Sequence, residues 1–299
     1  MPGFFAGLIG STFQTIPIET YMVVAGGGAG GSGQSLSFAG GGGGAGGILI
    51  GPTSGQYLLE GKTYSVIVGG GGTGQTDTRG TSGNDSSFEY SNATGVTKTI
   101  TAVGGGYGTH RTSVAAGEGG SGGADGAYLN SSDAPTTGIA GQGTGGGGAY
   151  SSGSNRSGGG GGGKDGNSQV EAISSRGGNG GPGTTQIIAG VSGTYGGGGG
   201  GASATQTQGS GGIGGGTAGR RTGNSLSGTA NTGGGSGGTS NGYKAGNGGS
   251  GLVVLYYNSS YPDLKITGGT AVQGSETYGG ITYKVYQFTS TATFTVGVD

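Results

Sequence analysis

Nine runs of three or more glycines, beginning at Gly26, Gly40, Gly69, Gly104, Gly145, Gly158, Gly196, Gly214 and Gly233, constrain this chain more than anything else in it. A glycine tract brings no side chain to bury, and fixing its backbone costs roughly 1–2 kcal/mol per residue, glycine lying at the upper end. A backbone hydrogen bond returns about 0.5–1.5 kcal/mol net. One isolated tract therefore stays unfolded, and a flexible linker is one reading of Gly- and Ser-rich sequence. The other reading is collective. Glycine chains in the extended threefold conformation can approach to about 4.8 Å, donate hydrogen bonds to several neighbours and add dispersion contacts. Either way, oil-like packing cannot hold most of this chain. Val, Ile, Leu and Phe number 46 of 299 residues, against 90 glycines.

Composition closes off several classes. Six prolines and no Gly-X-Y period exclude collagen. No run of 18 apolar residues is present, so no transmembrane helix is expected. A formal net charge of −1 argues against an ordinary charged disordered chain.

The apolar residues fall in two zones. Between Gly104 and Ser250 only 10 of 147 positions are Val, Ile, Leu or Phe. Outside that zone, residues 62–68 (KTYSVIV) place Tyr64, Val66 and Val68 on one face. Residues 291–296 (TATFTV) do the same with Ala292, Phe294 and Val296. Period-two alternation marks a half-buried strand. Residues 20–25 and 252–257 are continuous apolar runs, suited to central strands buried on both faces. No segment carries a helical period. The expected fold is all-β, an antiparallel β-sandwich head with an inserted bundle of glycine helices and essentially no α-helix. The parts are an apolar N-terminal arm (1–19), head strands with the first glycine tracts (20–103), a glycine-rich insertion with exposed loops (104–250) and C-terminal strands completing the head (251–299). Strands run straight into glycine at Ala25–Gly26, Val68–Gly69 and Val103–Gly104. Extended chain is thus expected to continue beyond the sheets.

Chemical motifs are sparse. Gly158 to Lys164 has the glycine and lysine spacing of a P-loop, but Asp165 follows where Ser or Thr is needed, and no helix is expected there. The sole histidine, His110, reads as an exposed loop residue. The thirteen acids show neither paired carboxylates nor a calcium-loop spacing, and one His without Cys makes a zinc site unexpected. No cofactor and no enzymatic activity are expected. Basic residues are isolated apart from Arg220-Arg221, so no nucleic-acid partner is expected. Five Asn-x-Ser/Thr triplets are matched by chance in so Ser-, Thr- and Asn-rich a chain, and the N-terminus lacks the basic region of a signal peptide. Its Phe4, Phe5, Leu8, Ile9 and Phe13 either pack on the chain's own head or dock on a partner.

Residues 21–28 (YMVVAGGG), 40–47 (GGGGGAGG), 61–70 (GKTYSVIVGG), 248–256 (GGSGLVVLY), 283–290 (YKVYQFTS) and 293–296 (TFTV) resemble the glycine-rich domain of bacteriophage tail and fibre proteins. The resemblance covers roughly residues 20–296. It implies polyglycine II helices in a hexagonal array, as in phage receptor-binding adhesins, and it brings no catalytic residues. The extracellular glycine-rich domain of the anaplastic lymphoma and leukocyte tyrosine kinase receptors is a more distant resemblance, of architecture only. Those domains contain cysteines, whereas zero cysteine here fits a virion assembled in host cytoplasm. The resemblance implies a non-enzymatic virion structural protein, a tail fibre or tail-tip adhesin. It would be attached through Phe4, Phe5, Leu8, Ile9 and Phe13 to other virion proteins, and homo-oligomeric, a trimer by the habit of phage fibres, without membrane insertion. The loops would offer Tyr107, His110, Arg111, Tyr150, Asn155, Arg156, Tyr195, Arg220 and Arg221 to a host surface protein or glycan, Tyr and Arg being the residues that dominate interfaces. Two alternatives remain: a capsid decoration or fibre protein that stabilises the shell, and an ice-binding protein. An ice-binding face would need regular Thr or small residues, and the tract spacing is irregular.

Overall fold

The computed structural model describes residues 14–35, 38–52, 55–111, 115–128, 135–166, 171–174, 176–188 and 191–297. Among these there is no helix, and the fold is all-β. The strands are β1 (Thr15–Pro17), β2 (Thr20–Val24), β3 (Ile48–Pro52), β4 (Tyr57–Leu59), β5 (Thr63–Ile67), β6 (Ser86–Ser91), β7 (Thr97–Ala102), β8 (Tyr150–Ser152), β9 (Asn155–Ser157), β10 (Thr184–Ile188), β11 (Val191–Tyr195), β12 (Leu252–Asn258), β13 (Leu264–Thr267), β14 (Ala271–Tyr278), β15 (Ile281–Phe288) and β16 (Ala292–Val296). Two antiparallel sheets face each other. One has the order β1-β4-β6-β5-β16-β13, with β7 also paired to β6; the other is β14-β15-β12-β2-β3.

The core between them is built from both ends of the chain. Ile16, Ile18 and Val23 meet Leu58, Tyr64, Val66 and Phe88, and these meet Val253, Leu255, Tyr257, Tyr286, Phe288, Phe294 and Val296. Tyr64 and Phe294, on paired strands, stack with centroids 5.5 Å apart. The expected alternation holds in β5 and β16, where Tyr64, Val66, Ala292, Phe294 and Val296 are the buried set. The continuous apolar runs are central strands: β2 and β12 pair with each other and are flanked by β3 and β15. Their second face makes another core of Met22, Val24, Ile48, Leu252, Val254 and Val285, closed by Tyr195 at the end of the β10–β11 hairpin.

Beyond the sheets the glycine tracts pack side by side, and their hydrogen bonds repeat every three residues. The amides of Ala25, Gly28 and Gly31 donate to Gly47, Gly44 and Gly41; those of Gly26, Ala29 and Ser32 donate to Asn84, Thr81 and Thr78. The remaining third turns elsewhere, Gly27 to Gly249 and Gly33 to Thr239. A β-strand alternates between two neighbours, whereas each of these tracts bonds to three. That is possible because no Cβ intervenes. A Cβ at Gly43 would meet the Gly28 carbonyl, and one at Gly161 the Gly43 carbonyl. Alanine enters where a methyl pocket exists, as in the buried set Ala39, Ala127, Ala149 and Ala202. Buried serines stitch tracts together: Ser236 Oγ accepts from the Gly30 amide at 2.9 Å and donates to the Gly246 carbonyl.

Candidate functional site

The direction of the tracts decides where their connections lie. Tracts leave the sheets after β2, β5 and β7, and return into β3, β6 and β12. Residues 25–31 run antiparallel to 41–47, and 26–32 antiparallel to 78–84. Among the described residues, the connections between an outgoing and a returning tract therefore sit at the end far from the sheets. Residues 75–79, His110-Arg111, Tyr128, the β8–β9 hairpin, 204–207, 220–224 and 241–244 collect there.

Seven of the nine residues expected to contact a receptor, His110, Arg111, Tyr150, Asn155, Arg156, Arg220 and Arg221, are on these distal segments. β8 and β9 pair as a tight hairpin, Tyr150 opposite Ser157 and Ser151 opposite Arg156. The turn at 204–207 ties the group together. Ala204 N–H donates to the Arg156 carbonyl at 2.9 Å, Thr205 Oγ1 lies 3.4 Å from Asn155 Oδ1, and Arg221 Nη1 donates to the Thr205 carbonyl at 3.3 Å. A shallow cavity of about 360 Å³ opens beside this turn, lined by Gln206, Thr207, Gln208, Arg220, Arg221 and Thr222. Arg220 and Arg221 are exposed, Arg221 with one Nη engaged by the Thr205 carbonyl.

The structure corrects four expectations. Tyr195 is only 6% exposed, closing the second core, because the residues expected to be a polar loop at 184–195 form a hairpin laid over the sheet. His110 is 6% exposed, not an exposed loop residue, and its Nδ1 has no partner among the described residues. Burial, then the neighbouring Arg111 charge, lowers its pKa below the ordinary imidazole value. Arg156 is 8% exposed, with Nε unpartnered among the described residues. Tyr107 lies on the flank of the tract bundle rather than in a distal loop. Arg79 sits over its ring, 4.7 Å from the centroid, and donates from Nη1 to its hydroxyl at 2.8 Å. The attachment residues Phe4, Phe5, Leu8, Ile9 and Phe13 lie outside the described residues.

Sequence reading missed Arg79, Arg176, Tyr243 and Lys244, and the stacked pair Phe38 and Tyr128, whose ring centroids are 4.6 Å apart. Each basic residue was read as isolated because each follows a different tract. The parity of the tracts is the signal that could have found them, since alternate connections must share an end. A larger cavity of about 760 Å³ lies at the opposite end, lined by Gln14, Glu60, Tyr261, Asp263 and Lys284. Its central charges neutralise each other, Lys284 Nζ being 2.8 Å from Asp263 Oδ1. The distal cavity, whose cations have no such partner among the described residues, is the better candidate. Its chemistry is that of binding: guanidinium forks, hydroxyls and amides. Among the described residues no cluster of His, Cys, Asp or Glu could hold a metal ion.

A family model described as a glycine-rich domain matches residues 10–258. Comparison with curated proteins finds no match.

Proposed function

We propose, from the premise that this chain belongs to the glycine-rich domain family, that it is a non-enzymatic bacteriophage virion protein, a tail fibre or tail-tip adhesin. The sandwich end attaches to other virion proteins as a homo-oligomer. The tracts are polyglycine II helices forming a stiff spacer, a reading supported by their three-residue hydrogen-bond period. The distal segments contact a host surface protein or glycan. One observation carries this reading: the tract topology delivers connections that are far apart in sequence to a single end remote from both sheets, which is how a rigid scaffold presents binding loops.

Immunogold labelling of intact particles tests it. Gold at the tail tip or fibres, together with block of host attachment by antibody raised against the distal turns, is the expected outcome. Gold on the capsid would replace this reading with the shell-stabilising one.

A further inference from the structure

All six arginines of the sequence, Arg79, Arg111, Arg156, Arg176, Arg220 and Arg221, lie in the glycine-rich part away from the two facing sheets, while the cations on the strands of those sheets are the lysines Lys98, Lys265 and Lys284. Four of the six arginines converge on one turn. Arg156 accepts from Ala204 N–H through its carbonyl, Arg176 pairs with Thr207 as an isolated bridge, and Arg220 and Arg221 line the adjoining cavity. Among the described residues none of the four has an acidic partner within ion-pair distance, and the buried Nε atoms of Arg156 and Arg176 lack any acceptor. A buried guanidinium donor left without an acceptor costs about 1–3 kcal/mol or more. The positive charge open to solvent is that of Arg220 and Arg221 at the cavity, and an anion with several acceptor oxygens would answer it.

Arginine in place of lysine matters here, because the planar fork matches carboxylate and phosphate oxygens in pairs. The rest of the cavity wall is Gln206, Thr207, Gln208, Gly219 and Thr222; the Gln208 amide is held within the turn by Ser203 and Gln206, and Gln206, Thr207 and Thr222 bring side chains suited to sugar hydroxyls. Among the described residues no aromatic ring lines it, so they offer no platform for a stacked base. We infer that the distal arginine cluster binds an acidic polysaccharide, its anion a carboxylate or a phosphate ester, with Arg220 and Arg221 as the direct contacts and Arg156 and Arg176 as the fixed charge behind them. This inference rests on the distal end being the presenting end.

The test uses the full chain in equilibrium binding to polygalacturonate, to a glycerol-phosphate polymer, to neutral dextran and to single-stranded DNA. The expected result is binding to one or both acidic polymers, weakening as salt rises, with no retention by dextran; which polymer binds identifies the anion. Arg220→Ala/Arg221→Ala is expected to weaken binding at least tenfold with an unchanged melting temperature. Arg220→Lys/Arg221→Lys, which keeps the charge and removes the forks, is expected to weaken it several-fold. Lys98→Ala, on an exposed sheet position, is expected to change nothing. Equal binding of dextran, preference for DNA, or failure of both acidic polymers would overturn the inference. A chain that adheres to host cells yet ignores both polymers removes this inference and leaves the adhesin reading standing; a chain that binds a polymer but is not displayed on the particle does the reverse.

Discussion

Gly43 shows what a single residue does in this molecule. Its amide donates to Ser236 at 2.8 Å, its carbonyl accepts from Gly199 at 2.9 Å, and the place a Cβ would occupy is filled by the Gly28 carbonyl. Adding one methyl must push two tracts apart and stretch the bonds on either side. Gly43→Ala is expected to destabilise by about 1–3 kcal/mol, the range of an overpacked core. Gly274→Ala, on β14 with open space around it, is expected to be neutral within about 0.5 kcal/mol. Paired thermal melts of the two variants check this, and equal effects at the two positions would show that the filled Cβ position at Gly43 does not set the cost. His110 provides a second test. Its folded pKa is below its unfolded value, so the unfolded chain binds the proton more readily. The stability it contributes is full above the ordinary imidazole value of 6.5 and is lost as pH falls through its lower folded value. A melting-temperature profile from pH 7.5 down to pH 5 should therefore decline, and His110→Gln should flatten that decline. His110 also illustrates what a sequence hides. Its neighbours in the chain look like a solvated loop, and only packing against other tracts buries it.

Among the elements, the β10–β11 hairpin performs a task that its composition does not announce. Ile187 is 74% exposed and the outer positions are polar, so the segment reads as a surface loop, yet Tyr195 seals the second core against Ile48 and Val254. Tyr195→Ala should cost about 3 kcal/mol by analogy with other buried aromatics, whereas Tyr150→Ala, on a half-buried distal hairpin, should leave the melting temperature nearly unchanged. Denaturant titration distinguishes the two, and a null effect at Tyr195 would mean that the hairpin does not seal the core. The sheet strands were far more legible than this hairpin. β5 and β16 carry the period-two signature, and β2 and β12 the unbroken apolar run of strands buried on both faces. These signals are local. The hairpin's burial comes from a contact with β2 and β3, more than 130 residues away in the chain, and leaves no local mark.

At the scale of the molecule, the tracts of residues 26–47 and 69–84 lie among those of 104–250. Gly106 accepts from Gly44, Gly159 from Gly42, and Gly105 donates to Gly26. The glycine-rich middle therefore lacks several of its walls when taken alone. Residues 104–250 expressed as a separate piece should exchange their amides at the rate of an unfolded peptide, while the same amides in the full chain are protected; hydrogen exchange by mass spectrometry reads both. Protection in the isolated piece would show that the bundle needs neither the early tracts nor the sheets. Nearly all the bonds involved join residues distant in sequence, so folding has to close many loops before it is rewarded.

The alternation of apolar and polar residues was enough to make this an all-β protein with a core shared by both ends of the chain, and the repeated glycine was enough to require close backbone packing. Both conclusions follow from properties that a residue carries wherever it is placed: the direction of its side chain in an extended strand and the presence or absence of a Cβ. The convergence of Arg156, Arg176, Arg220 and Arg221 on one turn, and the burial of His110 and Tyr195, belong to the folded molecule alone. They depend on which tract lies beside which. In a bundle held by backbone bonds that choice is made by the whole set of tracts together, because one glycine is chemically the same as the next.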